Sequence, residues 1–336
     1  MSIWYKYSDT QNSAVVSSRI RLARNVKGLP FPRRMNDAQK IQFLEKAKEI
    51  LDGAVINEVG TLKYYGLESI SEEELLSMME RHIISPDFIK KQGPKGLVIS
   101  EDETVSIMLL EEDHFRIQVL MGGYMLDSAY NIAVSVEKII SDNLELAFDK
   151  ELGFLTECPT NLGTGLRASV MLHLPVLESL NGISPLADSV SKIGLTVRGM
   201  YGEGSASKGS LYQISNQVTL GISEKTAIEN LKSITNQIVA KEQRAISELD
   251  KVSLEDTVFR ALGTLKYARS ISSEEMMKLI SCVRLGVSAG ILDLENKALP
   301  ITLLIETQPA TLQKKYGKMT VKDRDVLRAK IIRESI

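Results

Sequence analysis

Two apolar runs that enclose a block of charge constrain the fold of this chain more than any other feature. Residues 105–110 and 115–120 are rich in β-branched and long aliphatic side chains, a composition typical of strands. The four residues between the runs are Glu111, Glu112, Asp113 and His114. Burying charged groups is unfavourable unless they are paired or bind a ligand. The sequence therefore predicts two strands joined by a turn whose carboxylates face a charged partner or ligand.

The composition is that of an ordinary globular protein with one large or two modest domains. The chain has 336 residues, of which 43% are hydrophobic and 25% charged, and its formal net charge is −2. This near-neutral charge argues against a general nucleic-acid or membrane-surface binder. The two cysteines, Cys158 and Cys282, form no CxxC motif, so neither a disulfide framework nor a structural zinc site is predicted. With no signal peptide and no run of roughly 20 apolar residues, we expect a cytoplasmic protein.

The periodicity of apolar residues predicts an α/β fold of the α+β type, followed by a helical domain. Helices are predicted over residues 35–51, 127–143 and 224–249, and strands over 96–120, 153–159, 194–197, 211–214 and 218–220. Ser71, with three glutamates after it, is typical of a helix N-terminus. Beyond about residue 250, helix starts are predicted at Ser272, Pro309 and Thr320. The predicted domains are therefore residues 1–250 and 251–336.

Five arginines recur in segments that also carry strand or turn signals: Arg19, Arg21, Arg116, Arg167 and Arg198. Arg19 and Arg21 are two residues apart, so on a strand they point to the same face. Guanidinium groups bind phosphate oxygens in pairs and stay charged at neutral pH, so an array of them is suited to a polyphosphate. Any single arginine is more commonly solvated or ion-paired, and the hypothesis depends on the five together.

The adjacent carboxylates of Glu111 and Glu112 suit a cationic acceptor, although an edge of ordinary ion pairs is the alternative. A guanidinium acceptor holds its proton at neutral pH, and a carboxylate can orient it and accept that proton. The glycine-containing segments 163–165 and 199–204 match neither a P-loop nor the motifs of protein kinases. A phosphotransferase with this sequence would therefore belong to neither of those large classes.

A family resemblance is carried by four motifs that occur in a fixed order along the chain. They are SSRIRLARNVKG, LLEEDHFR, LTECPTNLGTGLR and VRG followed by YQISNQVTLG. Over about residues 14–250 the chain resembles the ATP:guanido phosphotransferases, the family of creatine and arginine kinases. The resemblance implies an antiparallel sheet flanked by helices. It also implies ATP and Mg²⁺ as cofactors, with the metal held mainly through ATP rather than by protein ligands.

The resemblance also implies roles for individual residues. The five arginines would bind the ATP phosphates, Glu112 would be the catalytic base, and Glu111 its supporting carboxylate. Cys158 falls on the family's reactive cysteine near the acceptor, with a small packing residue as the alternative. Glu203 is a candidate second carboxylate for the substrate guanidinium, or else a solvated loop residue.

Two positions depart from the pattern of creatine kinase. Met171 stands where that enzyme has a histidine, and His173 lies two residues further on. Thr219 stands where it has an arginine. We therefore expect different nucleotide contacts at these points. His114 is open to a structural or a catalytic reading, and His82 is assigned no role.

Within the family, the chain resembles the bacterial branch that phosphorylates arginines in proteins. The N-terminal substrate domain of creatine kinase has no counterpart here, and a helical C-terminal region carries Arg324, Asp325, Arg328 and Ala329 in an RDxxRA motif. Spacing alone would favour a solvated charged helix face. The resemblance instead implies that these four residues form an allosteric phosphoarginine pocket near a dimer interface.

The function implied by this branch is transfer of the ATP γ-phosphate to arginines of proteins. This would mark the proteins for Clp-type proteolysis and inactivate a heat-shock repressor. The implied partners are protein substrates with exposed arginines, a Clp-type unfoldase or protease, a zinc-binding activator protein, the repressor and a second copy of the chain. The alternatives are a kinase of free arginine or another small guanidino compound, and an adaptor that mainly binds phosphoarginine.

Overall fold

The computed structural model describes residues 3–7, 14–90, 93–199 and 209–336. Its strands are β1 Val15–Arg24, β2 Val55–Ile56, β3 Gly60–Gly66, β4 Gly96–Ser100, β5 Val105–Leu109, β6 Phe115–Gly122, β7 Phe148–Asp149, β8 Gly153–Phe154, β9 Leu166–His173, β10 Leu195–Gly199 and β11 Leu211–Asn216. Its helices are α1 Asp37–Leu51, α2 Glu72–Glu80, α3 Pro86–Lys90, α4 Leu126–Ser141, α5 Pro175–Ser179, α6 Ile183–Ser191, α7 Glu224–Ser247, α8 Lys251–Tyr267, α9 Ser273–Ser288, α10 Leu299–Glu306, α11 Pro309–Tyr316 and α12 Val321–Ser335.

One antiparallel sheet organises the first three quarters of the chain. Within the described residues it has nine strands in the order β10-β11-β9-β1-β6-β5-β4-β3-β2. Every neighbouring pair is antiparallel, and β1 lies between β6 and β9 near the centre. The expected antiparallel sheet flanked by helices is therefore confirmed.

The two faces of β1 have opposite character because successive side chains of a strand alternate in direction. Ile20 and Leu22 are fully buried on one face, in a core built with side chains of α1, α4 and α7. Arg19 and Arg21 are half-buried and point to the other face. The strand thus builds the core and displays the arginines at the same time.

Several helices begin where the sequence supplies a capping side chain. The Ser71, Ser272 and Thr320 hydroxyls each accept a hydrogen bond from the backbone N–H three residues on. Pro309 begins α11, and Gly317, at φ +89°, follows its last residue. These predicted boundaries are confirmed.

The helices after residue 250 cover part of the arginine-bearing face of the sheet. Their core includes Leu120, Met171 and Leu211 from β6, β9 and β11, together with Trp4 near the start of the chain. The chain leaves α7 after Ser247 and enters α8 at Lys251, and Asp250 caps that helix. In the described part of the chain, no helix has the length and apolarity required to cross a membrane.

The strand predicted at residues 218–220 is wrong. Thr219 lies in an extended loop, where its hydroxyl donates to the carbonyl oxygens of Thr160 and Leu162 at 3.0 and 2.7 Å. Its own carbonyl oxygen accepts from the Thr164 N–H at 3.0 Å. These bonds tie it to the loop before β9 instead of to a strand. The strand predicted over residues 153–159 is confirmed only at Gly153–Phe154. The elements that were not predicted include β2, β3, β7, β9, α3, α5, α6 and α10.

Candidate active site

A cleft of about 590 Å³ opens where β1, β6, β9 and β10 bring their polar side chains together. Its lining includes six of the predicted site residues: Arg21, Glu112, Arg116, Cys158, Arg167 and Arg198. Arg19 lines a separate void of about 10 Å³. Glu203 lies outside the described residues.

Sheet register explains why arginines distant in sequence meet. Arg21 is the Cα partner of Arg167 across β1 and β9. On the other side of β1, Ala23 is the partner of Arg116. Directly opposed residues of an antiparallel pair project to the same face, so these guanidiniums share one surface.

The arginine cluster is electrostatically unfavourable without a ligand. Burial, followed by the charges of Arg116 and Arg167, lowers the pKa of Arg19 to about 10. Burial and then the same neighbours, together with Arg19, lower the pKa of Arg21 well below its ordinary value; Glu111 opposes this shift. Desolvation and like charge both penalise the protonated form. A bound polyanion would relieve both penalties.

The two adjacent glutamates have different surroundings. Glu111 is 4% exposed, and its Oε1 accepts hydrogen bonds from Arg116 Nη1 at 2.8 Å and from the Ser85 hydroxyl at 2.9 Å. Glu112 is half-buried and lines the cleft, and its Oε2 accepts from Asn161 Nδ2 at 3.3 Å. Glu111 therefore orients an arginine, whereas Glu112 faces the space where an acceptor could lie.

Asp113 and His114 hold the turn that carries these glutamates. Asp113 Oδ1 accepts from Asn25 Nδ2 at 2.6 Å and from the Glu157 N–H at 2.8 Å. His114 Nδ1 accepts from the Val26 N–H at 3.0 Å, so the proton of the neutral ring is on Nε2 and is donated to a backbone carbonyl. Burial lowers the pKa of His114 to about 4, which keeps the ring neutral. His114 is thus a structural residue.

The segment that carries Cys158 is fixed by close backbone contacts. Cys158 is half-buried in the cleft lining, with its Sγ 3.0 Å from Thr160 Oγ1. Gly163 has φ +107°, and a Cβ there would overlap the carbonyl oxygen of Thr219. Gly165 has φ +58°, and its Cβ would lie 2.7 Å from the carbonyl oxygen of Ala23. Only glycine fits these two positions without rearrangement.

Sequence reasoning missed Asn25, Asn161 and Arg24. Asn25 links the ends of β1 and the glutamate turn, since its Oδ1 accepts from the His114 N–H at 2.9 Å. Arg24 is 1% exposed, pairs with Glu137 at 2.7 Å and lies 3.5 Å from the Phe154 ring centroid. All three residues lie inside the motifs that carry the family resemblance, and this location was the only sequence signal that could have pointed to them.

The residues that depart from creatine kinase present no cation to the cleft. Met171 packs in the core shared with the C-terminal helices. His173 is 2% exposed, with its Nε2 2.8 Å from the Ser281 hydroxyl. Thr219 lines the cleft, but its hydroxyl is bonded to the neighbouring loop.

The RDxxRA residues of α12 have unequal exposure. Arg328 is 1% exposed; its Nε donates to the Thr307 carbonyl oxygen at 3.0 Å, and its Nη1 donates to Ile271 at 2.8 Å and to Asp325 at 2.5 Å. Ala329 is fully buried, and Arg324 and Asp325 are half-buried. Arg328 therefore anchors α12 to the preceding helices, and Arg324 is the more accessible guanidinium.

The described ranges contain no group of three or more His, Cys, Asp or Glu residues that could hold a metal ion. The cleft side chains are those that bind phosphate oxygens. A magnesium ion carried on ATP is compatible with that donor set.

Comparison with known proteins gives a match for almost the whole chain. The ATP:guanido phosphotransferase, C-terminal catalytic domain, matches residues 42–245, and the protein-arginine kinase McsB C-terminal domain matches residues 251–336. A protein-arginine kinase of Moorella thermoacetica is 43% identical, covering 99% of this chain and 97% of that one. A protein-arginine kinase of Brevibacillus brevis is 41% identical, and the match covers 100% of this chain and 95% of that one. A lombricine kinase crystal structure shares the fold, with a TM-score of 0.61 at 24% identity over 71% of this chain and 69% of that one.

Proposed function

The chain belongs to the ATP:guanido phosphotransferase family, and we propose that its arginine-lined cleft transfers the γ-phosphate of ATP to arginine side chains of proteins. It is a protein-arginine kinase, as are relatives that match it over nearly their full length at 41–43% identity. The observation that carries the assignment of the site is the meeting of Arg21, Arg116, Arg167 and Arg198 with Glu112 in one cleft.

We assign phosphate binding to Arg19, Arg21, Arg116, Arg167 and Arg198. Their guanidiniums would hold the ATP phosphates and offset the charge that develops on the transferred group. When bound, Mg²⁺ would neutralise phosphate charge, and the chain would reach it through ATP. Glu111 supports this arrangement by fixing Arg116 at 2.8 Å.

We assign the base to Glu112. The acceptor guanidinium would lie in the cleft with one nitrogen facing the γ-phosphorus. As the N–P bond forms and the bond to the ADP oxygen breaks, that nitrogen would give its proton to the Glu112 carboxylate. Asn161 holds Oε2 of this carboxylate, so its orientation is set before the substrate binds. Cys158 and Glu203 would contact the acceptor guanidinium.

We further propose the wider role on the support of the C-terminal family match. Residues 1–250 would form the catalytic domain. Residues 251–336 would bind phosphoarginine through Arg324, Asp325, Arg328 and Ala329, near the interface of a homodimer. Marked proteins would pass to a Clp-type protease, with a zinc-binding activator and a heat-shock repressor among the partners, in the cytoplasm.

The same chemistry would serve free arginine or another small guanidino compound, so the substrate must be tested directly. The full chain is given MgATP with either an arginine-rich protein or free arginine, and initial rates are compared. A higher specificity constant for protein is expected. A much higher value for free arginine would favour the small-molecule alternative. An absence of product with either substrate, while phosphoarginine binds, would favour the adaptor.

A further inference from the structure

The guanidinium of Arg19 is held by two neutral side chains. Its Nη2 donates to Oε1 of Gln213, and its Nε donates to the Ser169 hydroxyl at 3.5 Å. The small void that Arg19 lines, about 10 Å³, has room for one water at most. Arg19 is half-buried, so its guanidinium has only part of the solvation that ordinarily stabilises it.

Sheet register places Gln213 directly opposite a second arginine. In β11 it is the Cα partner of Arg198 in β10 and of Met171 in β9. Arg19 is within electrostatic range of Arg116 and Arg167, both of which line the cleft. The charge on Arg19 therefore contributes to the field in the cleft even though its side chain lines a different void.

A carboxylate is the ordinary partner of a buried arginine, because it offsets the desolvation of the charge. An amide oxygen accepts the same hydrogen bond but leaves the net positive charge in place. This difference is important only if the charge has another use, such as attracting a polyphosphate.

We propose that Gln213 is a positioning residue for ATP, which orients Arg19 through a neutral hydrogen bond and so leaves its charge available to the polyphosphate. This inference rests on the proposed phosphate-binding role of the cleft. It makes the neutrality of position 213, as well as its shape, a determinant of nucleotide affinity.

Two substitutions separate charge from shape. Gln213→Glu keeps an acceptor of nearly the same size but adds a negative charge beside Arg19. Gln213→Met keeps the length but removes the acceptor without adding charge. Gln237→Glu, on the exposed side of α7, makes the same chemical change away from the cleft and serves as the matched control.

The experiment measures MgATP binding, KM for ATP, kcat and the apo melting temperature of the full chain and these variants. Gln213→Glu should raise the Kd and KM for ATP at least tenfold above those of Gln213→Met. Its kcat at saturating ATP should stay within about threefold of wild type, and its apo melting temperature should be at or above that of wild type. Gln237→Glu should match wild type in all four.

Equal ATP affinities of Gln213→Glu and Gln213→Met, with wild type binding normally, would show that only shape is important and would overturn the inference. Tighter binding by Gln213→Glu would overturn it as well. If wild type itself neither bound nor turned over MgATP, the proposed function would fail and the inference with it.

Discussion

At the scale of single residues, Glu111 and Glu112 are adjacent and identical, yet their side chains have different roles. A turn that places Leu110 at φ +61° sends the first carboxylate to Arg116 and Ser85 and the second to the cleft. The difference comes from contacts with distant segments. Residue types alone therefore predicted only that both carboxylates serve a charged site, and the family resemblance was needed to expect different roles for them.

Replacing the proposed base should stop chemistry without stopping nucleotide binding. Glu112→Gln keeps an acceptor for Asn161 but has little capacity to take a proton, so kcat should fall on the order of 10²- to 10⁴-fold. The Kd for MgATP should stay within about threefold of wild type. Rapid-quench transfer assays and calorimetric titration would measure the two quantities. Near-normal turnover by this variant would assign the base elsewhere.

Replacing either arginine of the RDxxRA motif should change the free energy of unfolding by a different amount. Arg328→Ala leaves the Thr307 and Ile271 carbonyl oxygens without their buried donor, and should lower the free energy of unfolding by about 3 kcal/mol or more. Arg324→Ala removes a half-buried side chain and should lower it by at most about 1 kcal/mol.

Arg324→Ala is therefore the better test of the proposed phosphoarginine pocket. Its affinity for phosphoarginine, measured by titration of the folded variant, should fall at least tenfold. Unchanged affinity would place the ligand away from this motif.

At the scale of elements, local signals located helices well and strands less well. Ser71, Ser272 and Thr320 mark helix starts because capping is a bond within four residues. Helix α10 is short and mostly apolar, with Thr302 and Glu306 as its polar residues, so it shows little of the periodic pattern that reveals an amphipathic helix. Strand order and the loop around Thr219 depend on partners far along the chain, and no local pattern encodes them.

The glycine loop before β9 should be intolerant of a side chain. Gly163→Ala would place a Cβ against the Thr219 carbonyl oxygen at a positive φ, and should cost about 2 kcal/mol or more of unfolding free energy. Transfer activity should fall with it, because this loop positions Cys158 and Asn161.

Gly263→Ala in α8 is the matched control, since no atom lies within 4 Å of the added Cβ. It should stabilise the protein by about 0.5–1 kcal/mol and leave activity unchanged. Urea denaturation of both variants would measure the effect. A tolerated Gly163→Ala would mean that the loop is not fixed as described.

At the scale of the whole molecule, all three histidines are held neutral; His114 and His173 are buried and His82 is half-buried. Burial lowers the pKa of His82 to about 3 and of His114 to about 4, and that of His173 well below its ordinary value. Burial also raises the pKa of Glu80, Asp113 and Glu242. These carboxyls act with the opposite sign: their contribution is full below the unfolded pKa and is lost as pH rises through the folded one.

The histidines should make the protein sensitive to mild acid. Unfolded histidines take up protons near pH 6.5, whereas the folded ones resist, so their stabilisation is full above pH 6.5 and is lost as pH falls toward the folded values. Between pH 7 and pH 5, each histidine should lower the free energy of unfolding by about 2 kcal/mol, and the carboxyls with a raised pKa should offset part of this loss. Urea denaturation across this range, with His114→Gln to flatten the slope, would measure it. Stability that rises on acidification would contradict the assignment of neutral rings.

The most direct test of the proposed function is a single reaction in which a protein and free arginine compete for the γ-phosphate of ATP. Wild type and Glu112→Ala receive MgATP with an arginine-rich protein and excess free arginine, and phosphorus NMR with site mapping identifies every acid-labile N–P product. We expect phosphoarginine on the protein in the wild-type reaction and none with Glu112→Ala. Phosphate found only on free arginine, or protein phosphoarginine that persists in the variant, would contradict it.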